Sequence, residues 1–372
     1  MGRRLTVVQL LPALEAGGVE RSTLEIADAL VKAGHRAIVV SAGGRLVPQL
    51  SALGGEHVTL DIGRKSLATL RHVPALRRLF AQADIVHARS RLPAWLARFA
   101  LRGMQSTPRF VTTVHGLNSP SRYSAVMTSG ERVICVSKSV REHVLQHYPH
   151  TNPDKLVVIP RGIDPTQFPR APLPDPAARA RIATLHPQLA GNGPLLLLPG
   201  RGTRLKGHVD ALRLLSGLRR DGLDARLWLA GARQPGRDAY VDELEREAAH
   251  LGIAEAFALT PPTAAISDAY AASDLVLQLS RKPEAFGRTV LEALSVGRPV
   301  LGWTHGGVGE LLREWQPQGA VTPFDEDALL RTARPLLAHP PRPAGTMPDS
   351  LRVMQQATLA LYEHDLYEHD LD

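Results

Sequence analysis

Residues 283–299 read PEAFGRTVLEALSVGRP, and this stretch decides how the chain is read. It sets Glu284 and Glu292 eight positions apart, with Gly287, Arg288 and Thr289 between them, where a helix is expected to start. Upstream, residues 274–280 (DLVLQLS) form a short apolar run that predicts a buried parallel strand. Downstream, Gly297 reads as the glycine that closes the helix, and Arg298-Pro299 leads into a second apolar run, VLGW. The unit is strand, loop, helix, strand, and its loop lies at the carboxyl end of a strand, where open α/β sheets bind ligands. Backbone N–H groups at a helix start attract an anion, most often a phosphate. A carboxylate in the loop and another on the helix can accept hydrogen bonds from hydroxyls on either side of that phosphate. Sugar, phosphate bridge and ribose together describe a nucleotide sugar. A solvated helix face is the competing reading. It is weakened because Glu292 sits among Val290, Leu291, Ala293 and Leu294, where an acid is costly without a partner.

The 372 residues favour two domains over one, and a 44% apolar content suffices for two cores. No apolar run is long enough to span a bilayer. The first eighteen residues superficially resemble a short signal peptide, but Gly17-Gly18 followed by an amphipathic pattern predicts a first strand and its loop instead. The single cysteine, Cys135, forms no internal disulfide, fits a reducing cytoplasm, and is expected to be inert packing in an apolar strand. A net charge of +8 favours anionic partners: nucleotide phosphates, acidic lipid surfaces or nucleic acid. The fifteen histidines are scattered without metal-site spacing.

Outward from the opening stretch, strand and helix alternate. Strands are expected at 5–11, 35–42, 57–62, 84–88, 109–114, 132–136 and 156–159, with helices between them. The helical pattern at 66–81 contains Pro74, which should kink or restart it. Residues 165–194 carry seven prolines and little periodicity, and read as an irregular interdomain connection. The pattern then resumes with strands at 195–198, 226–230, 257–260, 274–280 and 300–303, and ends in a helix at 348–365. The expected architecture is α/β: two Rossmann-like doubly wound parallel sheets facing a cleft, plus a C-terminal helix. The boundaries are 1–165 for an acceptor-side domain, 166–345 for a nucleotide-sugar-binding domain, and 346–372 for a helix and tail packing back toward the first domain. The tail repeats LYEHD at 361–365 and 366–370, which reads as a duplication rather than a metal-binding tail.

The first loop of the second half, PGRGTRLKGH, sets Arg201 and Lys206 five apart between glycines. Glycines admit close approach of a ligand, and the cations suit a leaving diphosphate as it gains charge. The pattern is not a phosphate loop of the GxxxxGK[ST] type.

With these residues in place, the chain resembles a retaining glycosyltransferase of the GT-B fold, family 4, of the bacterial surface-glycan type. The resemblance rests on Gly17-Gly18-Val19-Glu20, His115-Gly116, Arg161-Gly162-Ile163-Asp164, Arg201 with Lys206, Glu284-Ala285-Phe286-Gly287 with Glu292, and Gly306-Gly307 with Glu310. It implies that Glu284 contacts the donor sugar's hydroxyls and Glu292 the ribose. Arg201 and Lys206 would neutralise the diphosphate, helped by N–H groups near Gly287, Arg288 and Thr289. Gly17 and Gly18 would let the first loop approach the donor phosphates, and His115 would face the reacting sugar. The resemblance further implies front-face displacement with retention, no protein nucleophile and no cofactor beyond the nucleotide-sugar co-substrate. Together with the basic charge, it also points to lipopolysaccharide core or a related bacterial polysaccharide as the acceptor. Two features depart from the pattern. Arg161 stands where the family often has Asn, so that turn is expected to be held differently. Asp325-Glu326-Asp327 mimics a DxD metal motif but lies at a helix start, where acids favour the dipole; it is read as capping, with no metal.

The acceptor side is read from Arg89 and Arg91, which follow a strand of the first half and suit an anionic acceptor such as a phosphorylated glycan; solvated loop arginines are the alternative. Residues 70–80 place Leu70, Val73, Leu76 and Phe80 near one helix face with Arg71, Arg77 and Arg78 elsewhere, a pattern that suits either peripheral docking on an anionic membrane or a core-facing helix. A nucleotide-sugar epimerase of the same fold is the nearest alternative activity. A nucleic-acid-binding protein is disfavoured by the 5% aromatic content and the lack of a reader motif.

Overall fold

The computed structural model describes residues 3–15, 17–171, 173–341 and 350–367, with side chains through residue 363. The chain divides into two compact units, one reaching Gly162 and including the last helix from Leu351, the other running from Ile163 to Ser350.

The first unit carries β1 (Thr6–Leu10), β2 (Arg36–Ser41), β3 (Glu56–Thr59), β4 (Ile85–Ala88), β5 (Arg109–Val114), β6 (Arg132–Cys135) and β7 (Leu156–Val158). Its helices before Gly162 are α1 (Gly18–Lys32), α2 (Val47–Ala52), α3 (Val73–Phe80), α4 (Arg91–Leu101) and α5 (Lys138–His147). All seven strands are parallel, in the order β3-β2-β1-β4-β5-β6-β7. The order reverses between β1 and β4, so the crevice at their carboxyl ends is the place for a ligand. Helices cover both faces, which is why runs such as TVVQL and RAIVVS are apolar on both sides rather than alternating.

The second unit carries β8 (Leu195–Leu197), β9 (Arg226–Ala230), β10 (Phe257–Thr260), β11 (Leu275–Gln278), β12 (Val300–Trp303) and β13 (Ala320–Val321). Around them lie α6 (Pro176–Leu185), α7 (His208–Arg220), α8 (Asp238–His250), α9 (Ile266–Ala272), α10 (Arg288–Val296), α11 (Gly306–Trp315) and α12 (Glu326–Ala338). The strands are again parallel, in the order β10-β9-β8-β11-β12-β13, and the reversal falls between β8 and β11.

The last helix, α13 (Ser350–Tyr367), belongs to the first unit. Met354 and Tyr362 are buried in the core that β1, β2 and α1 form with Leu5, Val7, Ile26 and Val39. The Tyr362 hydroxyl lies 2.6 Å from Nδ1 of His87 in β4, whose Nε2 lies 2.6 Å from Thr113 Oγ1 in β5. His87 is fully buried, and that burial, then the charges of Arg89 and Arg161, holds its imidazole far below the usual histidine range. A neutral histidine with a partner on each nitrogen is how a sheet interior tolerates this residue. The second LYEHD copy lies largely outside the described residues, as does any side-chain role for His364 and Asp365.

Two expectations need correction. Residues 165–194 are not irregular throughout: they contain α6, capped by Asp175, whose side chain accepts from the N–H groups of Ala177 and Ala178. Pro176 opens that helix, where a missing N–H costs nothing. The segment 66–81 is two elements. A 3₁₀ turn, Leu67–His72, precedes α3, and Pro74 sits in the first turn of α3 as a restart. Leu76 and Phe80 are fully buried while Leu70 is 44% exposed, so the apolar residues read as one face point in two directions; Leu67, in the same turn as Leu70, is 87% exposed. Cys135 behaves as its apolar strand implies: it is fully buried, and burial pushes its thiol up to about 12, which makes it inert.

Candidate functional site

In the second unit, the loop after β8 and the loop after β11 meet at the reversal of strand order. The meeting is enforced by Gly207, whose φ of 73° lies in the left-handed region and whose missing side chain leaves room for the carbonyl oxygen of Leu279, only 2.0 Å from where a Cβ would stand. One residue earlier, Lys206 Nζ donates to Glu284 Oε1 at 2.5 Å. The Glu284 carboxylate also accepts from Gln278 Nε2 at 3.0 Å and from the Ser280 hydroxyl. Its backbone is fixed too: the Gly307 N–H donates to the Glu284 carbonyl at 2.8 Å, and Glu284 forms a parallel bridge with Gly306. The matching glycines at the start of α11 are therefore packing residues. A Cβ on Gly307 would fall 2.4 Å from the Phe286 Cα.

Lys206 and Glu284 remain 27% and 23% exposed, so both can still meet a ligand. A partly solvated pair of this kind contributes at most about 1 kcal/mol to folding. Arg201, on the same loop, is exposed, and its guanidinium makes no ion pair or side-chain hydrogen bond among the described residues. Helix α10 starts at Arg288 behind Gly287, and no side chain caps it. Its first turn follows the Glu284 loop on which Lys206 closes, and N–H groups with a lysine close by favour a phosphate. Ala285, Arg288 and Thr289 are half-buried there, with Phe286 and Gly287 buried beneath them.

Glu292 does not join the Glu284 cluster. Its carboxylate, 8% exposed, accepts from the Tyr270 hydroxyl at 2.8 Å, and Oε1 lies 3.8 Å from Arg288 Nε, one helical turn away. Tyr270 is the partner that an acid in apolar surroundings requires. Sequence reasoning missed Gln278, Ser280 and Tyr270. The first two leave a trace, as polar residues ending an otherwise apolar strand; Tyr270 leaves none.

Asp325 caps α12, accepting from the Ala328 N–H at 2.8 Å, and Glu326 pairs with Arg213 at 2.6 Å. Among the described residues, no three histidine, cysteine, aspartate or glutamate side chains gather as a metal-ligand set.

In the first unit, the loop after β1 and the ends of β4, β5 and β7 hold a second cluster. Gly17 and Gly18 are exposed, and a Cβ on Gly18 or on Gly116 would meet nothing within 4 Å, so these two positions face open space. His115 is half-buried at the end of β5 and is contacted through Nδ1 by Nη2 of Arg161. Burial, then the neighbouring Arg161 and Arg89 charges, holds the His115 imidazole far below its usual range, in the neutral form. Arg161 Nη1 also donates to the Ser22 hydroxyl in α1. That is how the turn containing Arg161 is held. Arg89 is not a solvated loop arginine: it is 3% exposed and donates from Nη1 to the same Ser22 hydroxyl at 3.0 Å. Arg91 is half-buried, donates to Ser124 Oγ at 3.2 Å and lies over the Tyr123 ring at 5.3 Å.

Residues 16–167 match the Glycosyltransferase Family 4 domain, and residues 186–346 match Glycosyl transferases group 1. A crystal structure of a glycosyltransferase from Rickettsia africae is 27% identical and superposes with a TM-score of 0.84 over 98% of this chain and 99% of that one. Anabaena Alr3699/HepE, solved in complex with UDP and glucose, shares the fold at 19% identity, with a TM-score of 0.77 over 98% of this chain and 99% of its own. A GDP-mannose-dependent alpha-(1-6)-phosphatidylinositol monomannoside mannosyltransferase of Mycolicibacterium smegmatis is 30% identical over 50% of this chain and 48% of its own length. The chain thus spans about half the length of the curated relatives it matches. With two Rossmann-like units, each reversing its strand order beneath a cluster of this kind, and a glycosyltransferase domain matched to each, the chain belongs to the family 4, group 1 glycosyltransferases of the GT-B fold.

Proposed function

We propose that this protein moves a sugar from a nucleotide-sugar donor to a glycan or glycolipid acceptor, with retention of anomeric configuration, in the assembly of a cell-surface polysaccharide such as lipopolysaccharide core. The observation that carries this reading is the Lys206–Glu284 pair at the strand-order reversal of the second unit, beside Arg201 and the uncapped start of α10. In this reading the diphosphate lies against Arg201, Lys206 and the first turn of α10, and the sugar hydroxyls against Glu284. The ribose hydroxyls lie against Glu292, whose carboxylate Tyr270 orients. The anomeric C–O bond breaks with its electron pair leaving on the phosphate. An acceptor hydroxyl oxygen attacks from the same face, and its proton passes to the departing phosphate oxygen. Cations carry the charge that builds on the leaving group, so no metal is assigned to the step. In this reading His115, held neutral, hydrogen-bonds the reacting sugar.

The reading is supported by two relatives, one named as GDP-mannose-dependent and one solved with UDP and glucose. They differ in base and sugar, so the donor is named here only as a nucleotide sugar. We further propose a cytoplasmic location, which a chain with a single cysteine fits. Among the described residues no helix is long and apolar enough to cross a membrane. The test is a thermal-shift screen against UDP-, GDP- and ADP-sugars, followed by transfer assays with the donor that binds. One donor should stabilise the wild-type chain, and that stabilisation should be lost in Lys206→Ala. Turnover of the donor without any acceptor would instead favour an epimerase.

A further inference from the structure

Arg281 joins the loops that follow β8, β11 and β13. Its backbone N–H donates to the Leu205 carbonyl at 2.8 Å, one residue before Lys206. Its own loop follows β11, and the residue before it, Ser280, donates to Glu284. Its guanidinium donates from Nη1 to Asp210 Oδ1, in the first turn of α7, at 2.6 Å, and lies over the Phe324 ring, 4.9 Å from the ring centre. Neither of these partners is an ordinary surface residue. Asp210 is 1% exposed, burial raises its carboxyl above the usual range, and its Oδ2 makes no hydrogen bond among the described residues. A carboxylate placed in this way is costly without a cation, and Arg281 is the cation that donates to it. Phe324 is the one non-glycine residue among the described residues whose φ, 69°, lies in the left-handed region, which disfavours so large a side chain. It is also 47% exposed, so burial in the core does not hold it there. Glycine would make the same turn without strain; what Phe324 adds is a ring. That ring stands edge-on to Trp303 at 6.0 Å and to His305 at 5.9 Å, and His305 Nε2 donates to the Ser280 carbonyl at 2.7 Å.

We propose that Arg281, held by Asp210 and by the Phe324 ring, is a positioning residue that keeps the loop after β8 against the loop after β11 and so sets Lys206 opposite Glu284. The bracket is built within the second unit; its effect on turnover rests on the transfer reading above. In that reading Lys206 meets the charge that builds on the departing phosphate, and a lysine free to wander meets it less often. A planar guanidinium suits this place, because it donates to Asp210 while lying over the ring; an ammonium is a compact point charge that matches the pair of contacts less well.

The test measures donor turnover and amide hydrogen exchange in the full chain. Arg281→Ala should lower kcat about tenfold or more and leave the donor KM within about threefold. Arg281→Lys keeps the charge but loses the planar fork and should fall between. Phe324→Gly relieves the backbone but removes the ring and should lower kcat several-fold, whereas Phe324→Tyr keeps the ring and should keep the wild-type rate; wild-type turnover in Phe324→Gly would overturn the ring's part. Asp210→Asn added to Arg281→Ala should cause no further loss of kcat, because both act through one bracket; independent, additive losses would contradict it. In Arg281→Ala the amides of residues 203–207 and 280–286 should exchange faster, with those of β9 unchanged. If Arg281→Ala does not fold, Arg281→Lys and Phe324→Gly carry both measurements. Unchanged exchange in the two loops overturns the bracket, as does a wild-type kcat in Arg281→Ala. A rise of about tenfold or more in donor KM at unchanged kcat would make Arg281 a donor contact and overturn the positioning role. If the wild-type chain turns over no nucleotide sugar, the transfer reading fails, and the exchange result alone decides whether the bracket stands.

Discussion

Glu284 accepts hydrogen bonds from three side chains in two segments of the chain: Lys206 in one loop, and Gln278 and Ser280 at and just beyond the end of β11. Such a carboxylate cannot swing, so its remaining acceptor directions point at a fixed place. Glu284→Gln keeps the shape but loses the charge opposite Lys206. We expect transfer to fall by about a hundredfold or more, while stability changes by no more than about 1 kcal/mol because the pair is partly solvated. Steady-state kinetics beside a denaturant titration checks both halves, and wild-type rates would sink the site assignment. Tyr270→Phe removes the hydroxyl that donates to Glu292 and should raise the donor KM several-fold with little change in kcat; a fall in kcat alone would place Glu292 in the chemistry instead. Glu284, Lys206 and Arg201 were legible from the sequence because each lies in a loop that follows a buried strand and is punctuated by glycine. Charges held there face the ligand end of a parallel sheet. Tyr270 was not legible, since it meets Glu292 only through the packing of α9 against α10, and no local pattern encodes that.

Strands and helices followed from apolar runs closed by glycine, and β5, β9, β10 and β12 have the boundaries their patterns predict. Helix α6 escaped because its proline-rich surroundings masked a short pattern, although Asp175-Pro176 is a start signal in its own right. Helix α11 shows what glycine does between elements. Gly307→Ala would drive a methyl into the Phe286 backbone, so we expect a loss of about 1–3 kcal/mol together with weaker donor binding, read by denaturant titration and donor thermal shift. The 3₁₀ turn before α3 carries a different message. Residues 62–130 contain eleven lysines and arginines and one acid, Asp84, and the exposed Leu67 and Leu70 lie within that run. If the protein docks on a membrane, these two leucines and their cationic neighbours are the surface that does it, not the buried Leu76 and Phe80. Binding to vesicles containing phosphatidylglycerol should fall several-fold in Leu67→Ser/Leu70→Ser and at high salt, with no binding to neutral vesicles; equal binding of both proteins would refute this assignment.

Three histidines that burial holds neutral weaken the fold toward acid. His87 and His115 in the first unit are held neutral far below their usual range, and His208 in the second is lowered to about 4, each chiefly by burial. The unfolded chain takes up protons at these positions below about pH 6.5, while the folded chain does not until much lower. The stability they contribute is therefore complete above about pH 6.5 and is lost progressively as the pH falls through that value toward 4. Asp210, raised by burial, works in the opposite sense at the acidic end. Calorimetry at pH 5 in buffers of different ionisation heat should show net proton uptake on unfolding; net release would contradict the assignment. The placement of α13 bears on how such a chain is made. Met354 and Tyr362 sit in the core of the first unit, yet the ribosome delivers them only after every residue of the second unit has emerged. Nascent β1 to β7 must wait, with a gap where α13 belongs, while a whole neighbouring unit is synthesised. A premature stop before residue 350 would therefore spoil the half translated first and spare the half translated last.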